Sequence, residues 1–419
     1  MRLLIKSAKI IDSESSFHKK KMDILIVNGR IEEIGSSLKP SKVDKEVKLE
    51  DLHVSRGWFD SSVNFGEPGY EERETISNGL KTAAKSGFTG VAINPETQLI
   101  VDDNGAVTSL LSKAAREVTI AYPIGALTRQ AKGKELAELY DMRQAGAVAF
   151  GDYKKPVMNS NLLKLALQYA QNFGGLVQSY PQDSKIAGNG LVNEDENSTK
   201  LGLKGIPGLA EELHITRDLA ILEYTGGKLH IPTISTAKAV KLIKEAKKKD
   251  LDVTCSVAIH NLIFTDDLLT NFDTRAKVLP PLRTKKDTAA LFKGLKEGVI
   301  DMVTSDHFPV DIEHKKVEFE HALFGTIGIE TAFGALLKLT GDLDFTISLL
   351  TKGKSRFGIK EAQIAEGSEA DLSLFSPKGT REFTREEIFS TSKNSIFINS
   401  EISGKTYGII AGDKWEIQE

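Results

Sequence analysis

Residues 58–94, WFDSSVNFGEPGYEERETISNGLKTAAKSGFTGVAIN, contain one complete unit of the pattern that decides the fold. An apolar run begins at Trp58, a stretch with helical periodicity covers Glu72 to Lys85, and a second, β-branched run begins at Phe88. Short apolar runs separated by a helix are typical of parallel strands joined by a crossover. The segment therefore predicts one β/α unit of a parallel sheet.

The same pattern continues along the chain, where helix-like segments such as Ser160 to Asn172 and Ala237 to Lys249 separate further apolar runs. Eight runs begin near Trp58, Phe88, Val118, Ala147, Leu176, Leu229, Val253 and Ile300. Eight β/α units over about 270 residues favour a closed (β/α)8 TIM barrel over an open doubly wound sheet. The longest loop-rich stretch, Gln182 to Gly208, is placed to cover the barrel mouth.

Both ends of the chain show a different pattern, of short β runs joined by polar turns such as Asn28-Gly29. The runs are Leu3 to Ile11, Met22 to Ile34, Val47 to Val54, Asp371 to Phe375 and Thr406 to Trp415. The first three are predicted to be antiparallel strands, and the last two resemble them. Because chain ends often lie near each other, we predict a small β-sandwich domain of residues 1–55 and 366–419, with the barrel, residues 56–365, inserted between them.

Composition narrows the class of protein. A net charge of -3, from 55 basic and 58 acidic residues, gives no reason to expect nucleic acid or an anionic membrane as partner. The single cysteine, Cys255, lies in an apolar run and is expected to be buried and unreactive. Neither a secretory signal nor a run of about 18 apolar residues is present. These features predict a cytoplasmic protein.

In a (β/α)8 barrel the active site is built at the C-terminal ends of the strands. After the first predicted strand, the period of two places Asp60, Ser62 and Asn64 on one face. Histidines at 62 and 64 would form a chelating pair, whereas serine and asparagine are weak ligands. The remaining strand ends carry Asp152 and Tyr153, Ser179 and Tyr180, Thr233, His260 and Asn261, and Asp306 and His307.

A catalytic zinc needs three protein ligands and an open position. The best candidates are Asp306, His307, His260 and Asp152, and nothing in their spacing makes three of them converge. We therefore expect no bound metal and no other cofactor. For His307, which follows Asp306 and precedes Phe308-Pro309, capping or loop anchoring competes evenly with a chemical role.

Several segments, in order and at family spacing, resemble the dihydroorotases of bacteria and of multifunctional pyrimidine enzymes, which belong to the cyclic amidohydrolases. They are Gly57 to Asp60, Glu67 to Gly69, Glu74 to Ile76, Ala84 to Thr89, Leu201 to Pro207, Ala210 to Glu212, Arg217-Asp218, Pro280 to Arg283, Ile300 to Pro309, Phe324-Gly325 and Glu330 to Phe333. The similarity runs over nearly the whole chain. It implies a barrel with a β-sandwich of both termini and, for intact members, zinc-dependent reversible closure of carbamoyl aspartate to dihydroorotate.

The resemblance also implies a ligand set that this chain lacks. The family's His-x-His reads Ser62-Val63-Asn64, its paired aspartates read Asp152-Tyr153, and two further ligand histidines are Ser179 and Thr233. Only Asp306, the family's final aspartate and proton carrier, keeps its identity.

The positions that bind the family's substrate differ as well. An arginine becomes Gly66, and two asparagines become Glu96 and Leu279. A carboxylate substrate thus loses a bidentate partner and meets a negative charge. Without a metal, the pKa of water stays far above neutral, and Asp306 alone does not supply the missing charge.

Three hypotheses follow. The first is a non-catalytic dihydroorotase-like subunit in a homo- or hetero-oligomer, for which the resemblance implies aspartate transcarbamoylase as structural partner. The second is a working dihydroorotase or other cyclic-amide hydrolase that uses Asp306, His307, His260 and Tyr153. The third is a protein that binds a pyrimidine intermediate without turning it over.

Overall fold

The first five strands belong to the terminal domain of the computed structural model, which describes residues 2–418. They are β1 (Arg2–Ile11), β2 (Lys21–Val27), β3 (Arg30–Gly35), β4 (Lys45–Val47) and β5 (His53–Arg56). β2 and β3 form an antiparallel hairpin whose turn residues, Asn28 and Gly29, have φ of 47° and 76°. Positive φ at both positions is what a tight hairpin turn requires.

β4 and β5 run parallel to β1, so the prediction of antiparallel strands is wrong for these two. The physical reason is the connection after β3. The chain crosses back over residues 36–44 before β4 begins, and it therefore enters β4 in the direction of β1. A period-two pattern identifies a strand but not its direction.

The barrel elements follow in chain order. They are β6 (Trp58–Val63), α1 (Ile76–Lys85), β7 (Phe88–Ile93), α2 (Asn104–Ala114), β8 (Ile120–Gly125), α3 (Leu139–Ala145), β9 (Ala149–Phe150), α4 (Ser160–Ala170), β10 (Leu176–Gln178), α5 (Ser184–Ala187), β11 (Val192–Asn193), α6 (Glu196–Leu201), β12 (Gly205–Ile206), α7 (Gly208–Thr225), β13 (Lys228–Ile231), α8 (Ala237–Lys248), β14 (Val253–Ala258), α9 (Ile259–Ile263), α10 (Lys285–Lys296), β15 (Met302–Thr304), α11 (Ile312–Lys315), α12 (Ala332–Thr340) and α13 (Leu343–Thr351).

Eight of these strands form a parallel sheet in the order β15-β14-β13-β10-β9-β8-β7-β6. Its two edges meet where Val63 bridges His307 and the Asn64 amide donates to the His307 carbonyl at 2.8 Å. The sheet is thereby closed into a barrel, and the predicted fold class is confirmed. Each strand begins within two residues of its predicted start.

The first helix is shorter than predicted. It begins at Ile76 and not at Glu72, because Thr75 caps it by accepting a hydrogen bond from the Asn78 amide. Glu74, which precedes the cap, is buried and accepts hydrogen bonds from the amide and hydroxyl of Thr391. The residues before the helix therefore tie the barrel to the C-terminal segment.

The terminal domain is completed by β16 (Asp371–Glu382), β17 (Glu401–Ala411) and β18 (Lys414–Ile417). Both chain ends share one mixed sheet in the order β18-β17-β16-β5-β1-β2-β3, with β4 also paired to β1. The predicted β domain of both termini is therefore confirmed. Within residues 2–418, no helix is long and apolar enough to cross a membrane.

Trp58 joins the two parts of the molecule. It is fully buried, its ring stacks on Phe333 at 5.0 Å, and it lies 5.4 Å from the ring of Phe375 in β16. Its indole N–H donates to the Ser55 hydroxyl at 2.9 Å. Since Trp58 begins the first barrel strand, this contact fixes the barrel against the terminal sheet.

The stretch predicted to be loop-rich, residues 182–208, contains α5, α6 and the two-stranded sheet of β11 and β12. Arg283 anchors it by donating to Asn193 Oδ1 at 2.8 Å and to the Ile206 carbonyl at 2.7 Å. Ile206 lines a small void together with Tyr180 and Thr233, which lie two residues after β10 and β13. The segment therefore lies over part of the barrel mouth, as expected.

Candidate functional site at the barrel mouth

The Asp306 carboxylate binds several of the side chains at the C-terminal ends of the barrel strands. It follows β15, is 1% exposed, and accepts hydrogen bonds at Oδ1 from the Tyr153 hydroxyl at 3.0 Å and the Ser62 hydroxyl at 3.4 Å. Its Oδ2 accepts from Lys154 Nζ at 2.8 Å. Groups in the last turn of β6 and after β9 and β15 therefore meet at one carboxylate, as residues at the strand ends of one barrel should.

Three residues at the mouth have left-handed backbone conformations. Tyr153, Thr233 and Asp306 have φ of 53°, 49° and 46°. This region costs a residue other than glycine about 1–2 kcal/mol, so the surrounding structure must enforce it. The turns end three barrel strands abruptly.

Lys154 was not singled out from the sequence, yet it completes the arrangement. The Lys154–Asp306 ion pair is almost enclosed, with side chains 11% and 1% exposed. The ammonium also lies 5.0 Å from the Tyr153 ring and 5.6 Å from the Phe308 ring. The available signal was a lysine in the loop that follows β9, next to Tyr153. The negative charge of Asp306 is thus balanced within the chain.

Asp60, Ser62 and Asn64 are all buried and bound to neighbouring polar groups, although the strand register is irregular between Asp60 and Val63. Asn94, another residue that the sequence reasoning missed, donates from Nδ2 to Ser62 Oγ and Asn64 Oδ1, both at 2.9 Å. Asp60 accepts hydrogen bonds from the Thr304 hydroxyl and, at 3.1 Å, from the Ser305 amide. Burial raises the pKa of Asp60 to about 6, although these donors oppose the shift.

Asp152, Ser179 and Thr233 each have a partner outside the cluster around Asp306. Asp152 accepts from the hydroxyl and, at 2.9 Å, the amide of Thr128. Ser179 donates to Asp218 Oδ2 at 2.5 Å, and the Thr233 amide donates to Ser256 Oγ at 3.1 Å. Burial raises the pKa of Asp152, against the effect of its Thr128 hydrogen bonds.

His260 and His307 are fully buried, and within residues 2–418 neither imidazole has a hydrogen-bond partner. Burial lowers the pKa of both to about 3, so both rings are neutral near pH 7. The His307 ring lies edge-on to Phe65 at 6.3 Å, while its backbone closes the barrel. This favours loop anchoring for His307. Of the four residues in the hydrolase hypothesis, only Tyr153 and Asp306 are hydrogen-bonded to each other.

Glu96 and Leu279, two of the three altered substrate positions, lie apart. Burial raises the pKa of the half-buried Glu96, with the charges of Lys155 and Lys154 opposing the shift. Leu279 packs against the apolar cluster of Ala187, Ile206 and Ala210. Glu96 thus adds negative charge on the Asp306 side, and Leu279 supports the covering segment.

Little space remains where the covering segment meets the barrel. Tyr180, Thr233 and Arg283 line a void too narrow to admit a water molecule, whereas small-molecule sites are usually about 300–1,000 Å³. A cleft of about 850 Å³ lies at the opposite end of the barrel, lined by Thr89, Tyr122 and Arg143 among others.

The residues at the mouth do not fit the zinc of intact family members. Catalytic zinc takes histidine, cysteine or carboxylate ligands, and no group of three or more such side chains in the described chain is placed to hold a metal. Asp306 is paired with Lys154, and Asp152 with Thr128. Ser62, Asn64, Ser179 and Thr233 supply neutral oxygens, which are poor zinc ligands.

Comparisons with known proteins agree with this fold. Residues 53–239 match the family model described as dihydro-orotase-like. The chain is 37% identical to a dihydroorotase of Geobacter metallireducens over 99% of both chains, and 38% identical to one of Pelotomaculum thermopropionicum over 100% of this chain and 99% of the relative. It is also similar in structure to an L-hydantoinase (dihydropyrimidinase) from Arthrobacter aurescens, with a TM-score of 0.86, 19% identity, and coverage of 100% of this chain and 97% of that one.

Sequence identity of this extent, over essentially the full length of both chains, shows common descent as well as a common fold. The chain therefore belongs to the dihydroorotase family of pyrimidine biosynthesis, within the cyclic amidohydrolase superfamily.

Proposed function

We propose that this chain is a non-catalytic member of the dihydroorotase family that acts as a structural subunit, with aspartate transcarbamoylase as its partner. The observation that carries the proposal is the contact of Lys154 Nζ with Asp306 Oδ2 at 2.8 Å. An ammonium group occupies the one carboxylate that the chain shares with the family's ligand set.

The chemistry of the family explains why this contact matters. Hydrolysis or closure of a ring amide at neutral pH relies on a metal that polarises the carbonyl and generates hydroxide. Lys154 supplies positive charge, but it has no open coordination position at which water is activated. Tyr153 donates to the same carboxylate, and burial together with the charge of Asp306 raises the pKa of Tyr153 well above its usual range. Tyr153 therefore stays protonated near neutral pH and is not available as a base.

The first test measures metal content and turnover on one preparation. Protein purified with added zinc is analysed for bound metal and assayed with dihydroorotate and with carbamoyl aspartate. We expect far less than one zinc per chain and no turnover above a blank without protein. An intact dihydroorotase prepared in parallel is the positive control. Zinc near one per chain, with turnover abolished by Asp306→Ala, would establish the hydrolase alternative instead.

The second test addresses the partner. The chain is co-expressed with the transcarbamoylase of the same organism and analysed by size-exclusion chromatography with light scattering. We expect one complex containing both chains at micromolar concentration. Separate elution of the two proteins contradicts the partnership and leaves the question of catalysis untouched.

A further inference from the structure

A cleft of about 850 Å³ lies where the far end of the barrel meets the terminal domain. Both parts of the molecule line it: Ile120 and Tyr122 lie at the start of β8, and Asp371 begins β16. Small-molecule sites usually have volumes of about 300–1,000 Å³ and often lie between domains. The cleft therefore has the size and the position of a binding site.

The floor of the cleft is apolar and contains an aromatic ring. Tyr122, Val148 and Ile359 pack against the buried cluster that includes Phe59 and Phe357. Each of the three is only partly buried and lines the cleft, so part of its apolar surface faces the open space. The Tyr122 ring meets the Phe59 ring edge-on at 6.0 Å, which fixes its plane. A floor of this kind favours the face of a planar ring.

The Tyr122 hydroxyl is available to a bound molecule, because it has no hydrogen-bond partner within residues 2–418. Burial raises the pKa of Tyr122 to about 12, and the charges of Asp371 and Glu369 act in the same direction. The hydroxyl is therefore protonated at neutral pH and can donate a hydrogen bond. The floor thus offers one polar contact beside its apolar surface.

Most charged groups around the cleft lie next to an opposite charge of the same chain. Opposite charges at such short range largely cancel at a distance, so these groups do not attract an ion into the cleft. The neighbours are Lys354 and Asp371 at 2.5 Å, Arg56 with Glu14 and Glu361 at 3.3 and 3.4 Å, and Arg30 and Glu369, which face each other in an antiparallel bridge.

Arg143 and Lys360 differ from these groups, because neither has an ion-pair partner among the described residues. Arg143 Nη1 donates to the Ala147 carbonyl at 3.2 Å. A side chain placed on Gly358 would lie 3.6 Å from Arg143 Nη2, so the guanidinium reaches the segment that carries Lys360. Two unbalanced cations therefore lie on one side of the cleft, where they favour an anion.

A phosphate monoester suits the two cations, since it carries a charge of about −1.5 to −2 and three acceptor oxygens. We infer that the cleft binds a planar ring that carries a phosphate ester, a ligand of the nucleoside monophosphate class. The ring lies over Tyr122 and Ile359, and the phosphate binds Arg143 and Lys360. Because the chemistry of such barrels takes place at the opposite end, this ligand is bound and not converted. The inference does not depend on whether the chain is catalytic.

Isothermal titration calorimetry of the full chain tests the ligand class. Adenosine monophosphate and uridine monophosphate are the probes, and adenosine, uridine and inorganic phosphate are the partial ligands. We expect at least one nucleotide to bind with a Kd below about 100 µM, and its separate parts to bind at least about 10-fold more weakly. No binding of either nucleotide, or inorganic phosphate that binds as tightly as the nucleotide, would overturn the inference.

Variants test the two cations. Lys360→Met and Arg143→Met should each raise the Kd of the nucleotide at least about 10-fold, because each removes a charge-assisted hydrogen bond. Lys360 is exposed, so its substitution leaves the fold intact even if that of Arg143 does not. The matched control is Arg129→Met, at an exposed arginine beyond the other end of β8, which should keep the wild-type Kd. An unchanged Kd for Lys360→Met, or an equal rise for Arg129→Met, contradicts the proposal.

Hydrogen exchange locates the bound nucleotide without a variant. Amides of residues 354–363, which line the cleft, should exchange more slowly when the nucleotide is present. Amides of residues 152–155, at the barrel mouth, should exchange at the same rate with and without it. Protection at the mouth, and none at residues 354–363, would place the nucleotide at the other end of the barrel and refute the inference.

Discussion

The barrel mouth and the outer face of the barrel, by which we mean the exposed surface of helices α4 and α7, differ in where their interactions are satisfied. At the mouth, Asp306, Lys154 and Tyr153 bind one another, and Ser179 and Asp152 have partners inside the chain. On the outer face, several large apolar side chains, such as Leu165, Leu213 and Tyr224, are more than a third exposed to water. In an active enzyme, polar groups at the mouth are free to bind a ligand. Here the polar groups of the mouth are bound within the chain, and the exposed apolar side chains are on the outside.

The largest expected effect is a loss of stability when an ion pair at the barrel mouth is removed. Lys154→Met leaves Asp306 as a buried carboxylate without its cation, which should lower the free energy of unfolding by about 3 kcal/mol. Urea denaturation measures the loss. Lys244→Met is the matched control, because the Lys244–Glu297 pair is exposed and should contribute less than about 1 kcal/mol. Equal losses for the two variants would show that the Lys154 contact is only a surface ion pair.

The second largest effect should be a fall in the free energy of unfolding in mild acid. His260 and His307 have pKa values near 3 when folded and about 6.5 when unfolded. Only the unfolded chain binds these two protons between those pH values, so stability falls as the pH drops below about 6.5. Asp60 acts in the opposite direction, because its folded pKa of about 6 lets the native chain gain a proton first.

Urea denaturation at several pH values between 6.5 and 5 measures this dependence. His307→Asn should reduce the slope by about one proton, or about 1.4 kcal/mol per pH unit. His18→Asn is the control, since His18 lies outside the mouth and is more exposed. An unchanged slope for His307→Asn would mean that His307 is already protonated in the folded protein.

A smaller loss is expected for Tyr153→Phe. The variant removes the hydrogen bond from the Tyr153 hydroxyl to Asp306 but keeps the ring that stacks on Phe308 at 6.0 Å. A bond to a charged group contributes about 1.5–3 kcal/mol, and we expect the lower value because Lys154 and Ser62 still bind Asp306. A loss greater than that of Lys154→Met would make tyrosine, and not lysine, the main partner of Asp306.

The smallest effect should come from the outer face. Leu213→Ala should change the free energy of unfolding of the monomer by less than about 0.5 kcal/mol, because Leu213 is 46% exposed. Ile215, two residues along the same helix, is fully buried, and Ile215→Ala should cost about 2–5 kcal/mol. Both are measured at a concentration where the chain is monomeric. A large loss for Leu213→Ala would make the leucine part of the chain's own core.

Much of the fold could be predicted because burial on both faces of a barrel strand requires an apolar run. Even β9, only Ala149–Phe150, lies inside a run that the sequence shows from Ala147. Strand direction in the terminal domain was not predictable in the same way. β4 and β5 have the period of any strand, and their parallel pairing with β1 depends on the path of the connection.

The site was predicted only as far as strand ends allow. The predicted strand ends placed Asp306, Tyr153, Ser62 and Asn64 at the mouth, where the structure has them. The position of a residue along its strand determines which end of the barrel it occupies. Lys154 and Asn94 were missed because side-chain pairing depends on reach and rotamer. Thr128 and Asp218, the partners of Asp152 and Ser179, were missed for the same reason.

The pairing of β5 with β16 has a consequence for biosynthesis. Val54 lies opposite Leu374, so the first part of this sheet lacks its neighbour until almost the entire chain has left the ribosome. The edge of β5 therefore stays open for the whole time in which the barrel is made, and an open strand edge is a site of misassociation. Premature termination before Asp371 would leave that edge permanently uncovered, so we expect such fragments to be cleared or to aggregate.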